Sequence, residues 1–258
     1  MRSRLVTAGC VVFGLAAAPA SAQFSGPFEL GPPGCQQQGQ CTLTYDFKYT
    51  DPNGMAWQAA AQNQTDGASI PAWAQPFVGA PFDPAYIKAA VIHDHYCDRH
   101  VRGWRATHRV FYDALRALGV TASKAKLMYY AVYLGGPKWI EIIPGDPCGP
   151  NCVFQVEVAQ SGASASLEFD VAGGAGPAAE LAIQSEESGG NAMTISRAAD
   201  YDEPGFVEEL QRVELLLDAA GDEIDLDYLE RRAKERRPND FFYANDSQIE
   251  LESGFAFE

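Results

Sequence analysis

The chain has 258 residues and is strongly acidic, with 34 Asp and Glu against 19 Lys and Arg and a formal net charge of −15 at neutral pH. Such a charge repels nucleic acids and anionic lipid surfaces, so we expect no nucleic-acid partner. Beyond the N-terminal segment, no run reaches the roughly 20 apolar residues that a membrane-spanning helix needs. We therefore expect no transmembrane segment.

Residues 1–22 have the pattern of a signal peptide. Two arginines precede an apolar run, and the small residues Ala20-Ser21-Ala22 form a cleavage site before Gln23. The pattern predicts export, so we expect the protein to be secreted or periplasmic.

Acidic and basic side chains are unevenly distributed along the chain. Residues 153–258 hold 24 acidic and 7 basic side chains, whereas residues 1–152 hold 10 and 12. Residues 173–193 are rich in Gly, Ser and Ala, as linkers are. We therefore predict a signal peptide at 1–22, a helical core with a His-Asp motif at 23–152, and an acidic C-terminal region at 153–258 that could bind a protein partner.

Export favours disulfides among the five cysteines of the mature chain. Two short loops, Cys35 to Cys41 and Cys148 to Cys152, would leave Cys97 unpaired. Spacing does not fix the connectivity, and the flanking cysteines could instead tie the two ends of the helical core together.

The first predicted structure is a β-hairpin. It consists of the alternating segment CTLTYDFKYT, the turn signal DPNG and the segment MAWQAAAQ. We expect Leu43, Tyr45 and Phe47 on its buried side.

Three helices are predicted after the hairpin, with capping residues at their starts and glycines near their ends. They run from Ala85 to about Arg99, from Thr107 to Leu118, and from Thr121 or Ser123 to Gly135-Gly136-Pro137.

In the C-terminal region, VFQVEVAQ and SASLEFDVAGG alternate like two antiparallel strands. A helix opened by Pro204 has an apolar stripe, and Asp225 caps a second helix. The stripe consists of Phe206, Leu210, Val213 and Leu217. The whole pattern predicts an α+β fold: a mainly α three-helix core with a β-hairpin, followed by a smaller acidic α+β region.

Candidate ligand side chains fall on two neighbouring faces of the first core helix: His93, Cys97 and His100 on one, Asp94 and Asp98 on the other. An antiparallel second helix could bring His108 opposite His93. Imidazole suits general-base work near neutral pH, and the adjacent Asp94 carboxylate can hold a cation. We expect Asp66, in the loop TDGASIP, to join this cluster.

The segments TDGASIP, KAAVIHDHYC, THRVFYDALRALGV and KLMYYAVYLGGPKW occur in this order. Their pattern resembles a domain family of phage and bacterial genomes known as domain of unknown function 1353. The likeness covers about residues 42–140 and implies no activity.

A more distant resemblance is to the secreted phospholipases A2, particularly the small bacterial ones, in which a helical His-Asp pair faces a second helix. It implies a hydrolase in which His93 is the base for a water and Asp94 holds calcium. The sequence departs from that family where His108 stands in place of the orienting Asp. No calcium loop of that family precedes the helix, unless TDGASIP with Asp66 replaces it.

We therefore expect a hydrolase-type site that carries out metal-assisted ester hydrolysis on an unidentified substrate. His93 and His108 are the expected catalytic residues. Asp94 and Asp66 are the expected ligands of a divalent cation, calcium in preference to zinc. Two alternatives stay open. A transition-metal site could be formed by His93 with Cys97, or by His93, Asp94, His108 and Asp66 together. Otherwise the polar residues could pin two helices together in a non-catalytic, phage-derived structural or interaction module.

Overall fold

The computed structural model describes residues 22–68, 75, 79–144, 156–161, 164–169, 182–184, 193–220, 223–245 and 248–251. Within these ranges the protein is an α+β protein, as predicted. The helices are α1 (Cys35–Gln38), α2 (Ile87–Arg99), α3 (Trp104–Ala117), α4 (Ala122–Gly135), α5 (Phe206–Ala220), α6 (Leu226–Arg236) and α7 (Phe241–Ala244). The strands are β1 (Gln23–Ser25), β2 (Leu30–Gly31), β3 (Cys41–Leu43), β4 (Phe47–Thr50), β5 (Ala56–Ala59), β6 (Gln64–Thr65), β7 (Lys138–Pro144), β8 (Val156–Ser161), β9 (Ser164–Phe169), β10 (Ala182–Gln184), β11 (Met193–Arg197) and β12 (Gln248–Leu251).

The predicted hairpin is β4–β5, in a three-stranded antiparallel sheet with the order β1-β4-β5. The Asp51 side chain closes its turn by accepting two backbone hydrogen bonds. Leu43 and Phe47 are buried as predicted, but the prediction for Tyr45 was wrong, because its side chain is 47% exposed. Residues 44–46 connect β3 and β4, which lie in different sheets, so the alternation is interrupted there.

The three predicted helices are α2, α3 and α4, with two shifted starts. A turn held by Asp83, whose Oδ1 accepts from Ala85 N at 2.8 Å, precedes α2, so the helix proper begins at Ile87. Helix α3 begins at Trp104, three residues before the predicted start at Thr107. Thr107 therefore lies inside the helix and does not cap it. Both Trp104 and Thr107 are fully buried.

The C-terminal helices pack on the N-terminal ones. A hydrophobic cluster, here called the shared core, contains Trp104 of α3, Tyr130 of α4, Phe206 and Val213 of α5, and Leu229 of α6. The four residues of the predicted α5 stripe are all buried. The boundary at 152/153 stays a prediction of composition, and the shared core includes residues from both sides of it.

Strands β8 and β9 form the predicted antiparallel pair. A four-stranded sheet, β10-β11-β7-β12, was not anticipated. Its strand β10 lies within the stretch 173–193 that was predicted to be a linker; much of that stretch lies outside the described residues.

Cys35 and Cys41 form the first predicted disulfide. The second predicted pair, Cys148 with Cys152, lies outside the described residues, as does the predicted signal peptide apart from Ala22. In the described part of the chain, no helix combines the length and apolar character needed to cross a membrane.

Candidate active site

The centre of the site is a pair of histidines on two packed helices. His93 of α2 and His108 of α3 are both buried, and His93 Nε2 lies 2.8 Å from His108 Nδ1. The other ring nitrogen of His108, Nε2, lies 3.1 Å from the carbonyl oxygen of Pro137. The antiparallel packing expected from the sequence therefore places the two imidazoles in direct contact.

Hydrogen-bond partners determine which nitrogens of this pair carry protons. A carbonyl oxygen only accepts, so His108 Nε2–H donates to Pro137. Burial, followed by the neighbouring His93 and Lys138, holds the pKa of His108 well below its ordinary value, so its ring is neutral and Nδ1 has a lone pair. His93 Nε2–H then donates to that lone pair. In a neutral His93 ring, Nδ1 is consequently left as the unprotonated nitrogen.

Asp94 is positioned by the loop that precedes the helices. Thr65 Oγ1 donates to Asp94 Oδ2 at 2.7 Å, and the Gly67 amide donates to Thr65 Oγ1 at 3.1 Å. A side chain at Gly67, which has a φ of 88°, would come within 2.6 Å of the Pro81 carbonyl oxygen. The loop therefore needs glycine at this point to approach the Pro81 backbone closely.

The two residues of the His-Asp motif lie side by side. Asp94 Oδ1 is 3.6 Å from His93 Nδ1. Burial raises the pKa of Asp94, and the neighbouring His93 and the Thr65 hydroxyl oppose that rise. The carboxylate thus lies next to the nitrogen of His93 that the tautomer leaves free.

His93 and Asp94 line a cavity of about 510 Å³. Asp66 and Asp98 also line it and are exposed, so they lie at its mouth. Phe206 of α5 lines it as well but is buried, so it lies in the interior. The volume is in the range typical of small-molecule sites. A histidine and a carboxylate that face such a space can meet a ligand.

Cys97 lies one helical turn after His93 and has a buried thiol. Its Sγ is 3.5 Å from His93 Nε2, and it is a free cysteine. Burial, followed by Asp94 and Asp98, raises its pKa well above the ordinary value. The ligand atoms of His93, Cys97 and His108 all lie within 4.8 Å of one another, so this group could hold a metal ion.

The structure brings together the four residues expected at the site. His93, Asp94 and Asp66 line the cavity. His108 does not line it but contacts the His93 ring at Nε2. His100 does not join them, because it caps the C-terminus of α2 with a φ of 53° and stacks on Trp139.

Three further residues of the site were missed or undervalued from the sequence. Thr65 belongs to the TDGASIP loop, but nothing in the sequence indicated its bond to Asp94. Tyr201 lines the cavity from the C-terminal region, and no motif in the sequence connected it with the site. Its proximity depends on Gly135, where a Cβ would come within 2.8 Å of the Tyr201 ring. Asp98 was placed on the correct helix face but was assigned no role.

Together the fold and the site define an α+β protein with a buried histidine beside a partly buried carboxylate in a ligand-sized cavity. Residues 41–132 match the family model described as "Protein of unknown function (DUF1353)". Over 189 residues the chain is 44% identical to the uncharacterized protein y4iH of Sinorhizobium fredii. The match covers 70% of this chain and 77% of y4iH. The chain belongs to the DUF1353 family.

A second relative in the same organism is the uncharacterized protein y4jT, which is 44% identical over 131 residues. That match covers 49% of this chain and 39% of y4jT. No solved structure matches the chain. The names of these relatives state no activity, so any activity has to be argued from the site.

Proposed function

We propose that the protein is an exported hydrolase in which His93 activates a water molecule for ester hydrolysis. The observation that carries the proposal is the pair of contacts from His93 Nε2 to His108 Nδ1 and from His108 Nε2 to the Pro137 carbonyl. With both rings neutral, these contacts place the lone pair of His93 on Nδ1, beside Asp94 in the cavity. A base of this kind needs a free lone pair, a fixed ring and access to substrate.

His108 acts in this proposal as the residue that orients His93. When His93 accepts a proton at Nδ1, its Nε2–H remains bonded to His108, and Asp94 Oδ1 at 3.6 Å balances the positive charge. An orienting carboxylate would bring a negative charge to the protonated base, whereas His108 is neutral and offers only a hydrogen-bond acceptor. The likeness to phospholipases A2 supports the roles of His93 and Asp94 and not that of His108.

The acidic groups suit a hard divalent cation. Asp66, Asp94 and Asp98 line the same cavity and supply carboxylate oxygens, the ligand type that calcium prefers. A cation held there would polarise the ester carbonyl and stabilise the negative charge that develops on its oxygen. We assign Asp94 and Asp66 as its ligands.

A second candidate is a zinc site formed by His93, Cys97 and His108. Tetrahedral zinc with bonds of about 2.0–2.3 Å separates two nitrogen ligands by roughly 3.3 Å and nitrogen from sulfur by roughly 3.6 Å. The observed separations are 2.8 Å between the nitrogens and 3.5 Å between His93 Nε2 and Cys97 Sγ. A small opening of the histidine pair would fit the ion, and His93 would then be a ligand and no longer a base.

Calorimetric titration of the mature protein with Ca²⁺ and with Zn²⁺ separates the two candidates. The leading proposal predicts calcium binding that Asp94→Asn abolishes and Cys97→Ser preserves. The zinc candidate predicts that Cys97→Ser abolishes zinc binding. His95→Gln is a matched control, because His95 is a buried histidine of the same helix that bonds Asn63 and does not line the cavity.

A further inference from the structure

The cavity has two chemically different parts. Its mouth has the exposed acids Asp66 and Asp98, and its interior is formed largely by apolar side chains of two helices that are far apart in the sequence. The side chains from α4 and α5 are Leu127, Met128, Val132, Phe206, Val207 and Leu210. A ligand that fills it therefore has an apolar part inside and a polar part toward His93, Asp94 and the mouth.

The charges of the cavity lining restrict the chemistry of the ligand's polar part. Among the described residues that line the cavity, none is Lys or Arg, whereas Asp66, Asp94, Asp98 and Glu214 are acidic. A free carboxylate or phosphate entering this space would meet like charges, and solvent screens the partly buried Asp94 and Glu214 less than the exposed Asp66 and Asp98. An uncharged polar group avoids that repulsion.

We propose that the cavity binds a single-chain amphiphile whose polar end carries no negative charge, its apolar chain lying between α4 and α5. This inference rests on the proposed function for one point only: that the uncharged polar end of the natural ligand is an ester placed against His93. It also assigns α5, in the acidic C-terminal region, to the wall of the binding site.

Three ten-carbon probes that the protein cannot hydrolyse test the charge preference: decanol, decylammonium and decanoate. In calorimetric titrations without divalent cations, we expect decanol to bind and decanoate to bind at least about tenfold more weakly, because of the cavity acids. Decylammonium should bind at least as well as decanol. Octanol should bind more weakly than decanol, by roughly fourfold for each methylene removed from the chain.

A pair of variants on one helix tests the location. Val207 lines the cavity, whereas Leu215 is 70% exposed and does not line it. Val207→Trp fills the space between α4 and α5 and should weaken decanol binding at least about tenfold, while Leu215→Trp should change it less than about twofold. Circular dichroism establishes that both variants are folded; if Val207→Trp is not, Val207→Leu, which adds one methylene to the wall, replaces it with a smaller expected loss.

Equal binding of decanol and decanoate would overturn the inference, as would decanol binding that the wall variants leave unchanged or the absence of decanol binding. Failure of the proposed function gives a different result. If esters of decanol bind with the expected preference but are not hydrolysed, the inference about the binding site is supported and the proposed hydrolase function is rejected.

Discussion

At the scale of single residues, the site depends on hydrogen-bond direction. The sequence predicted a cluster of His93, Asp94, Asp66 and His108. Helical spacing places His93 and Asp94, an antiparallel second helix places His108, and Asp66 comes from the loop TDGASIP. The sequence could not show that His108 would bond the Pro137 carbonyl, since that contact joins residues 29 positions apart. The bond nevertheless decides which nitrogen of His93 is free.

His108→Ala tests that arrangement. The substitution leaves His93 Nε2–H buried without its acceptor, so we expect a loss of roughly 1–3 kcal/mol in the free energy of unfolding. His108→Asn offers a carbonyl oxygen near the position of Nδ1 and should recover part of the loss. Urea denaturation of both variants measures the difference. Equal stability of His108→Ala and the wild type would contradict the hydrogen-bond chain.

Asp113 gives a pH dependence away from the site. Burial, followed by Asp51, raises its pKa to about 6, and Arg109 opposes the rise. The raised pKa means that folding favours the protonated carboxyl. Its contribution to stability is therefore complete below the unfolded pKa of about 3.9 and is lost as the pH rises through about 6.

Asp113→Asn should remove that dependence. At pH 7 we expect the variant to be more stable than the wild type by roughly 1 kcal/mol, a figure reduced for solvent screening of this half-buried group. Near pH 4 the difference should vanish. Thermal unfolding at both pH values checks this, and a variant that is less stable at pH 7 would refute the assignment.

At the scale of elements, a buried carboxylate joins three helices. Glu209 of α5 is buried and accepts from Tyr130 of α4 at 2.9 Å and from Arg232 of α6 at 2.6 Å and 3.2 Å. The apolar stripe of α5 was predictable from its 3.6-residue period. Glu209 was not, because a glutamate next to such a stripe is ordinarily solvated, and only the tertiary contacts show its partners.

Glu209→Ala should destabilise the protein by about 3 kcal/mol, because it leaves the Tyr130 hydroxyl and part of Arg232 without their acceptor. Glu208→Ala, at the exposed neighbouring position, should change the free energy of unfolding by less than about 0.5 kcal/mol. Chemical denaturation compares the two. Similar effects from both substitutions would show that the network adds nothing to stability.

At the scale of the whole molecule, the candidate catalytic residues come from the N-terminal region, and part of the cavity lining comes from α5 in the C-terminal region. The periodicity of the sequence correctly predicted an α+β protein. It could not show that Phe206 and Val213 would pack with Trp104 and Tyr130, because apolar stripes identify a buried face without identifying its partner. For the same reason Tyr201 was not connected to the site.

Removal of residues 193–258 tests how far the two regions depend on each other. The truncation exposes the α4 face of the shared core, so we expect the remaining fragment to lose cooperative unfolding and to bind hydrophobic dyes. Circular dichroism and a thermal scan of residues 23–192 measure this. A fragment that melts cooperatively near the wild-type temperature would show that the compositional boundary separates independent folding units.

If His93 is a base beside a cation-binding Asp94, hydrolysis of a neutral medium-chain ester should depend on both residues. We expect calcium-dependent turnover that falls at least about a hundredfold in His93→Gln, in line with the usual contribution of a general base. Calcium affinity should be kept in His93→Gln and lost in Asp94→Asn, while His95→Gln retains both. If His93→Gln and Asp94→Asn instead lower only the melting temperature, and neither calcium binding nor turnover is found in the wild type, the pair is structural and the account is wrong.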